Sequence, residues 1–158
     1  MSKSHAAGAI ACGLIAGLAI TAMLIAGERR ARAPSELTQL ERASAEKLKL
    51  DTPPPGSLPS AGEQAFVQAG HLALSALAGA AYAATVEEDA PVLASGIGFG
   101  LAFYGLAHWI AGPLLGVKKP EWTSARKVIA MHTINHIGLG LLTALGAKAS
   151  RNRQEQAQ

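Results

Sequence analysis

One cysteine, Cys12, is all that the chain contains, so no intrachain disulfide can brace it and the redox compartment stays open. Too few apolar residues precede Cys12 for a lipoprotein site, and it reads as a small packing residue. Charge is also scarce: Asp, Glu, Lys and Arg make up 16% of the 158 residues, against 49% hydrophobic. There is no serine or cysteine triad, phosphate loop or dinucleotide fingerprint. The net charge of +3 comes with no basic nucleic-acid motif. The common enzyme signatures and a nucleic-acid partner are therefore excluded, and the basic excess is expected to meet lipid.

The hydrophobic residues are gathered in runs. Residues 6–27, 64–86, 90–117 and 128–147 contain no Asp, Glu, Lys or Arg, and each reaches the roughly 20 residues a helix needs to cross the hydrocarbon core. They are rich in Gly and Ala, poor helix material in water but suited to close helix contact in lipid. The pattern predicts an all-α integral membrane bundle of four transmembrane helices. It divides into a tail (1–5), the first helix (6–27), a cytoplasmic amphipathic helix with a Pro-rich linker (28–63), a three-helix membrane region (64–147) and a polar tail (148–158). The first run is too long for a typical signal h-region and is followed by Glu28-Arg29-Arg30-Ala31-Arg32, so it reads as a retained helix.

Orientation follows the basic residues, which favour cytoplasmic loops. Arg29, Arg30, Arg32, Arg42, Lys47 and Lys49 fall on the same side as Lys118, Lys119, Arg126 and Lys127, and outnumber Lys3, Lys148, Arg151 and Arg153. The side carrying Glu87-Glu88-Asp89 is then extracytoplasmic, together with both termini. An alternative has the last run re-enter at Asn135, Gly138 and Gly140. Between the first two spans, Ser35 is a helix cap for a segment to about Leu50, and Thr52-Pro53-Pro54-Pro55-Gly56-Ser57-Leu58-Pro59 reads as an extended spacer. Lys118, Lys119, Arg126 and Lys127 suit anionic head groups.

Polar residues inside the runs recur at helical spacing. Gln64, Gln68, His71, Ser75, Gly79 and Tyr82 form one stripe, Gly100, Tyr104, His108 and Ala111 another, and His132, His136, Gly140, Thr143 and Ala147 a third. The Gly-x-x-x-Gly pairs Gly13/Gly17, Gly96/Gly100 and Gly112/Gly116 would pack helices within the chain or join protomers. At 1.5 Å per residue, His71 and His108 lie about 10 and 14 Å inside the basic-side end of their runs, and His132 and His136 about 6 and 12 Å. One layer of four imidazoles results, with Gln68, Ser75, Tyr104 and Asn135 in support. A proton relay or pH sensor, a transition metal, a haem between two helices, and interhelical packing all remain open for it. No Asp or Glu within the runs accompanies the imidazoles, so no buried acid partner is expected.

The segment Gly98-Phe99-Gly100-Leu101-Ala102-Phe103-Tyr104-Gly105-Leu106-Ala107-His108, then Ala111-Gly112-Pro113-Leu114-Leu115-Gly116-Val117, then His136-Ile137-Gly138-Leu139-Gly140, resembles the YagU-like bacterial inner-membrane proteins. The resemblance implies a multi-pass protein of the bacterial inner membrane without an established enzyme activity, and a role in acid tolerance. A pH-linked, non-enzymatic membrane protein is the expected function. A haem- or metal-binding electron-transfer subunit and an accessory subunit of a larger membrane complex are the alternatives.

Overall fold

In the computed structural model, which describes residues 2–156, every regular element is helical. Helix α1 (Lys3–Ala31) is followed by α2 (Glu36–Lys47), α3 (Ala61–Thr85) and α4 (Val92–Tyr104). Helix α4 runs on through a π-helical segment, Gly105–Ala111, into the short α5 (Gly112–Leu114); a 3-10 turn, Glu121–Thr123, then leads to α6 (Arg126–Gln156). Three helices start at a serine cap. Ser2, Ser35 and Ser60 each accept a hydrogen bond from the backbone N–H three residues on, which satisfies one of the donors a helix start leaves open.

Three helical stretches are long and apolar enough to cross a membrane: α1, the continuous Val92–Leu114 and α6. Helix α3 has the length but carries Gln64, Gln68 and His71 in its first half. No break interrupts α6 at Asn135, Gly138 or Gly140, so the last run does not turn back on itself. Its helix also outlasts the expected 128–147 by a turn or more at its C-terminal end, and α1 likewise carries Arg29 and Arg30 beyond residue 27.

Helices α1 and α6 form the central antiparallel pair, with α3 packed on α1 and α4 on α6. The contacts are made by small residues. A side chain on Gly8 would strike Gly146 and Ser150, one on Gly13 would meet Ser75 and Gly79, and one on Gly96 or Gly100 would enter the α6 backbone at Gly140 to Leu141 or His136 to Ile137. The buried hydrophobic set is correspondingly alanine-rich, with Ala9, Ala16, Ala78, Ala83, Ala144 and Ala147. Large side chains point out instead: Ile15, Leu18, Leu74, Leu77, Leu101, Ile110, Ile134 and Leu145 are all exposed. A protein in water does not present so broad an apolar surface without a partner, whereas lipid tails solvate it and leave close backbone approach to hold the helices.

The third glycine pair behaves differently from the expectation. Gly112 meets only Ala107 of its own stretch and the Lys118 side chain, and Gly116 adopts φ +64°. That left-handed conformation favours glycine, so the pair ends a helix, with Gly116 lying against the Lys47 side chain of α2.

At the basic end, α2 is tied down at several points. Buried Glu28 accepts from Ser35 N at 2.7 Å and Thr38 Oγ1 at 2.6 Å, closing the α1–α2 corner. Arg42 grips Glu63 through two hydrogen bonds of 2.7 and 3.1 Å and donates to the carbonyls of Pro54 and Ser57, each at 3.1 Å. The proline segment is therefore wrapped around a buried guanidinium and is not a free spacer.

Candidate functional site

The residues that converge do so at the basic end, where α4 leaves its regular course. A π turn has one residue more than an α turn and often marks functional sites. Here it carries His108 between Tyr104, the last residue of α4, and the loop of Lys118 and Glu121. Helix α6 contributes His132 and His136 on one face, and α2 contributes Glu36 from its first turn.

Glu121 is the centre of the arrangement and is fully buried. Its Oε1 accepts the Tyr104 hydroxyl proton at 2.9 Å and lies 2.6 Å from His132 Nδ1. Its Oε2 lies 2.6 Å from Lys118 Nζ and 3.6 Å from His108 Nδ1. Lys118 Nζ is also 2.7 Å from His108 Nδ1 and pairs with Glu36. An ammonium has no lone pair to offer, so His108 Nδ1 accepts. The other ring nitrogen of His132, Nε2, is 3.0 Å from the second Glu36 oxygen. Both nitrogens of His132 thus face carboxylate oxygens, an arrangement only the doubly protonated ring satisfies when both acids are ionised.

The rings lie close together. Centroids of His108 and His132 are 4.5 Å apart, those of His108 and His136 4.9 Å, and Tyr104 lies 5.2 Å from His136. His136 Nδ1 donates to the His132 carbonyl at 2.8 Å. Burial alone would raise the Glu36 carboxyl, but hydrogen bonds from His132 and Lys118 outweigh it and hold the group down to about 2. For Glu121 the same opposition, with Lys118, His132 and Tyr104 as donors, again gives about 2.

No family model, curated protein or solved structure matches this chain.

Of the expected imidazole layer, His108, His132 and His136 come together and His71 does not join their contacts. His71 sits on α3 with Nδ1 3.0 Å from Thr21 Oγ1 of α1, and that hydroxyl gives its one proton to Gln68 Oε1 at 2.9 Å. The ring nitrogen is then the donor to Thr21, and Gln68 and His71 stitch α3 to α1. Ser75 bonds back to the His71 carbonyl and sits against Gly17, while Asn135 is half-buried outside the cluster. Lys118, expected among lipid head groups, points into the site; Lys119, Arg126 and Lys127 are exposed.

The expectation of imidazoles without acid partners is overturned, because Glu36 and Glu121 supply two carboxylates from outside the apolar runs. Neither acid lies within a charge-free run. The available signal is positional: Lys118 and Glu121 stand three apart in the loop joining two His-bearing helices, and Glu36 follows the Ser35 cap in the other Lys- and Arg-rich interval.

Proposed function

We propose that this chain is a non-enzymatic multi-pass protein of the bacterial cytoplasmic membrane, YagU-like and crossing four times. In this reading its cytoplasmic helix α2 latches the two halves of the bundle together. The fourth crossing is α3, supported by its 25 residues and by the outward-facing Phe66, Leu74 and Leu77, which would be solvated by lipid. The cytoplasmic side is the basic one.

The observation that carries the latch is the reach of Glu36. Helix α2 is bound to α1 through Glu28 and to α3 through Arg42 and Glu63, while Glu36 contacts Lys118 and His132 at the foot of the α4–α6 pair. A change in the charge held by the cluster then alters how firmly the cytoplasmic ends are closed, and that mechanical coupling is the proposed activity. Protons and cations both compete for these groups, which joins the acid-tolerance role implied by the resemblance to the same place. A haem is not favoured: bis-imidazole ligation needs a flat slot between two histidines, and Glu121 and Lys118 fill the space against His108 and His132.

Spin labels at Gln39 on α2 and Lys127 on α6, introduced after Cys12→Ala, test the latch in nanodiscs. A single narrow distance distribution is expected, broadening when Glu36→Ala and Lys118→Ala are combined. An unchanged distribution in that double variant overturns the latch.

A further inference from the structure

Side chains from four separate elements bring one ligand atom each to a common point: Glu36 of α2, His108 of the π segment, Glu121 of the 3-10 turn and His132 of α6, all within 4.8 Å of one another. We propose that these four residues bind one divalent first-row transition-metal ion, zinc being the reference case, in exchange for the Lys118 ammonium. The inference rests on the latch reading only in naming what the cluster responds to.

The donor set selects the class of ion. Two imidazole nitrogens and two carboxylate oxygens suit zinc and its neighbours, whereas calcium and magnesium prefer all-oxygen shells and copper(I) prefers sulfur. Bonds of about 2.0–2.2 Å in tetrahedral geometry hold donors roughly 3.3 Å apart. With Nε2 as the one His132 ligand atom, the His132 Nε2 to Glu36 Oε2 and His108 Nδ1 to Glu121 Oε2 separations of 3.0 and 3.6 Å already fall near that scale. Glu36 keeps a partly exposed side chain, and this exposure gives an entry path from the basic side.

Lys118 is the second, independent observation. Its nitrogen contacts Glu36, Glu121 and His108 together, so a tethered cation stands where three of the four donors converge. A flexible four-carbon stem beside exposed Lys119 lets it leave. The charge balances through the exchange. A dication neutralises the two carboxylates, the ammonium departs to solvent, and His132 gives up one ring proton because a ligating nitrogen must offer its lone pair. No bond is made or broken beyond coordination. Around the ion, the Tyr104 hydroxyl on Glu121 and the His136 donor on the His132 carbonyl orient the ligands.

The test is titration of the purified full-length protein with Co²⁺, followed by visible d–d absorption and then by displacement with Zn²⁺. One Co²⁺ per chain with intense tetrahedral bands, bleached by Zn²⁺, is expected. His108→Gln or Glu121→Gln should remove the bands, and Tyr104→Phe should weaken binding about tenfold. Lys118→Gln should tighten it by about tenfold, a gain that a misfolded variant cannot produce, while Lys119→Gln should match the parent. Absent bands in the folded parent, bands that survive His108→Gln, or weaker binding in Lys118→Gln each overturn the site. Spin-label distances read alongside keep the two proposals apart. A narrow Gln39–Lys127 distance without Co²⁺ bands overturns the metal site and leaves the latch, and Co²⁺ bands with a distance that is broad without metal and narrows only when Co²⁺ binds do the reverse.

Discussion

Gly140 of α6 and Gly100 of α4 meet backbone to backbone: a side-chain carbon placed on Gly140 would lie 2.8 Å from the Gly100 nitrogen. The contact sits one turn from His136 on α6 and one turn from Tyr104 on α4, so it sets the spacing at which the two helices present their imidazoles. Gly100→Leu and Gly140→Leu should each cost at least the roughly 1–3 kcal/mol typical of an overpacked interior, read as a loss of folded fraction in detergent. Gly138→Leu has open space around its α-carbon and should match the parent. Equal behaviour of all three variants would remove this contact from the account of the fold.

Arg42→Ala should be among the most damaging single changes outside the spans. It leaves Glu63 without its partner and frees the Pro54 and Ser57 carbonyls together. Breaking one side of a buried pair costs about 3–5 kcal/mol. Thermal unfolding in detergent, with limited proteolysis scored at 52–59, checks it. A parent-like protease pattern would show that the guanidinium does not order the proline segment.

Acid should loosen the metal-free cluster from the carboxylate side. Glu36 and Glu121 lie below the ordinary 4.5 in the folded protein, at about 2, so their contribution is complete above 4.5 and is lost as pH falls toward 2. The Gln39–Lys127 distance distribution, recorded from pH 6 to pH 2.5, should broaden below pH 4.5, and Glu36→Gln should be broad across the range. A parent whose distribution is already broad at pH 6 and narrows on acidification would reverse the sign and defeat this prediction.

Topology is checked with fused reporters. Fusions after Lys49 and within 118–127 should read cytoplasmic, and one at Glu88 extracytoplasmic. Cytoplasmic activity at Glu88 would sink the four-crossing arrangement, because Glu88 contacts Ser2 and its carbonyl accepts from Arg151, which gathers both chain ends at that side.

The helices were legible in the sequence because each charge-free run near 20 residues long falls in a helix, and three of these helical stretches are long and apolar enough to cross a membrane. The Gly-x-x-x-Gly spacing also pointed to Gly13, Gly17, Gly96 and Gly100, where an added side chain would meet a neighbouring helix. The candidate site was only half legible. Spacing puts His132 and His136 on one face of α6 and His108 one turn beyond Tyr104, but no local pattern tells that the π turn aims His108, or that an acid on a surface helix and one in a loop fold back to meet it. His71 shows the complementary limit. Its half-buried ring pairs with Thr21 of α1, and the spacing that set it level with the other imidazoles does not bring it into ring contact with them.

The alanine and glycine interior with its leucine and isoleucine exterior turns the usual map of mutational tolerance inside out. In a water-soluble domain the bulky residues are guarded and the rim drifts; here Ile15, Leu74 or Ile134 can be exchanged for any apolar neighbour, while a single added methyl at Gly8 or Gly146 meets another helix's atoms. Among variants of this chain, divergence should therefore follow volume more than polarity: a smooth, slowly changing seam inside a coat that is free to vary.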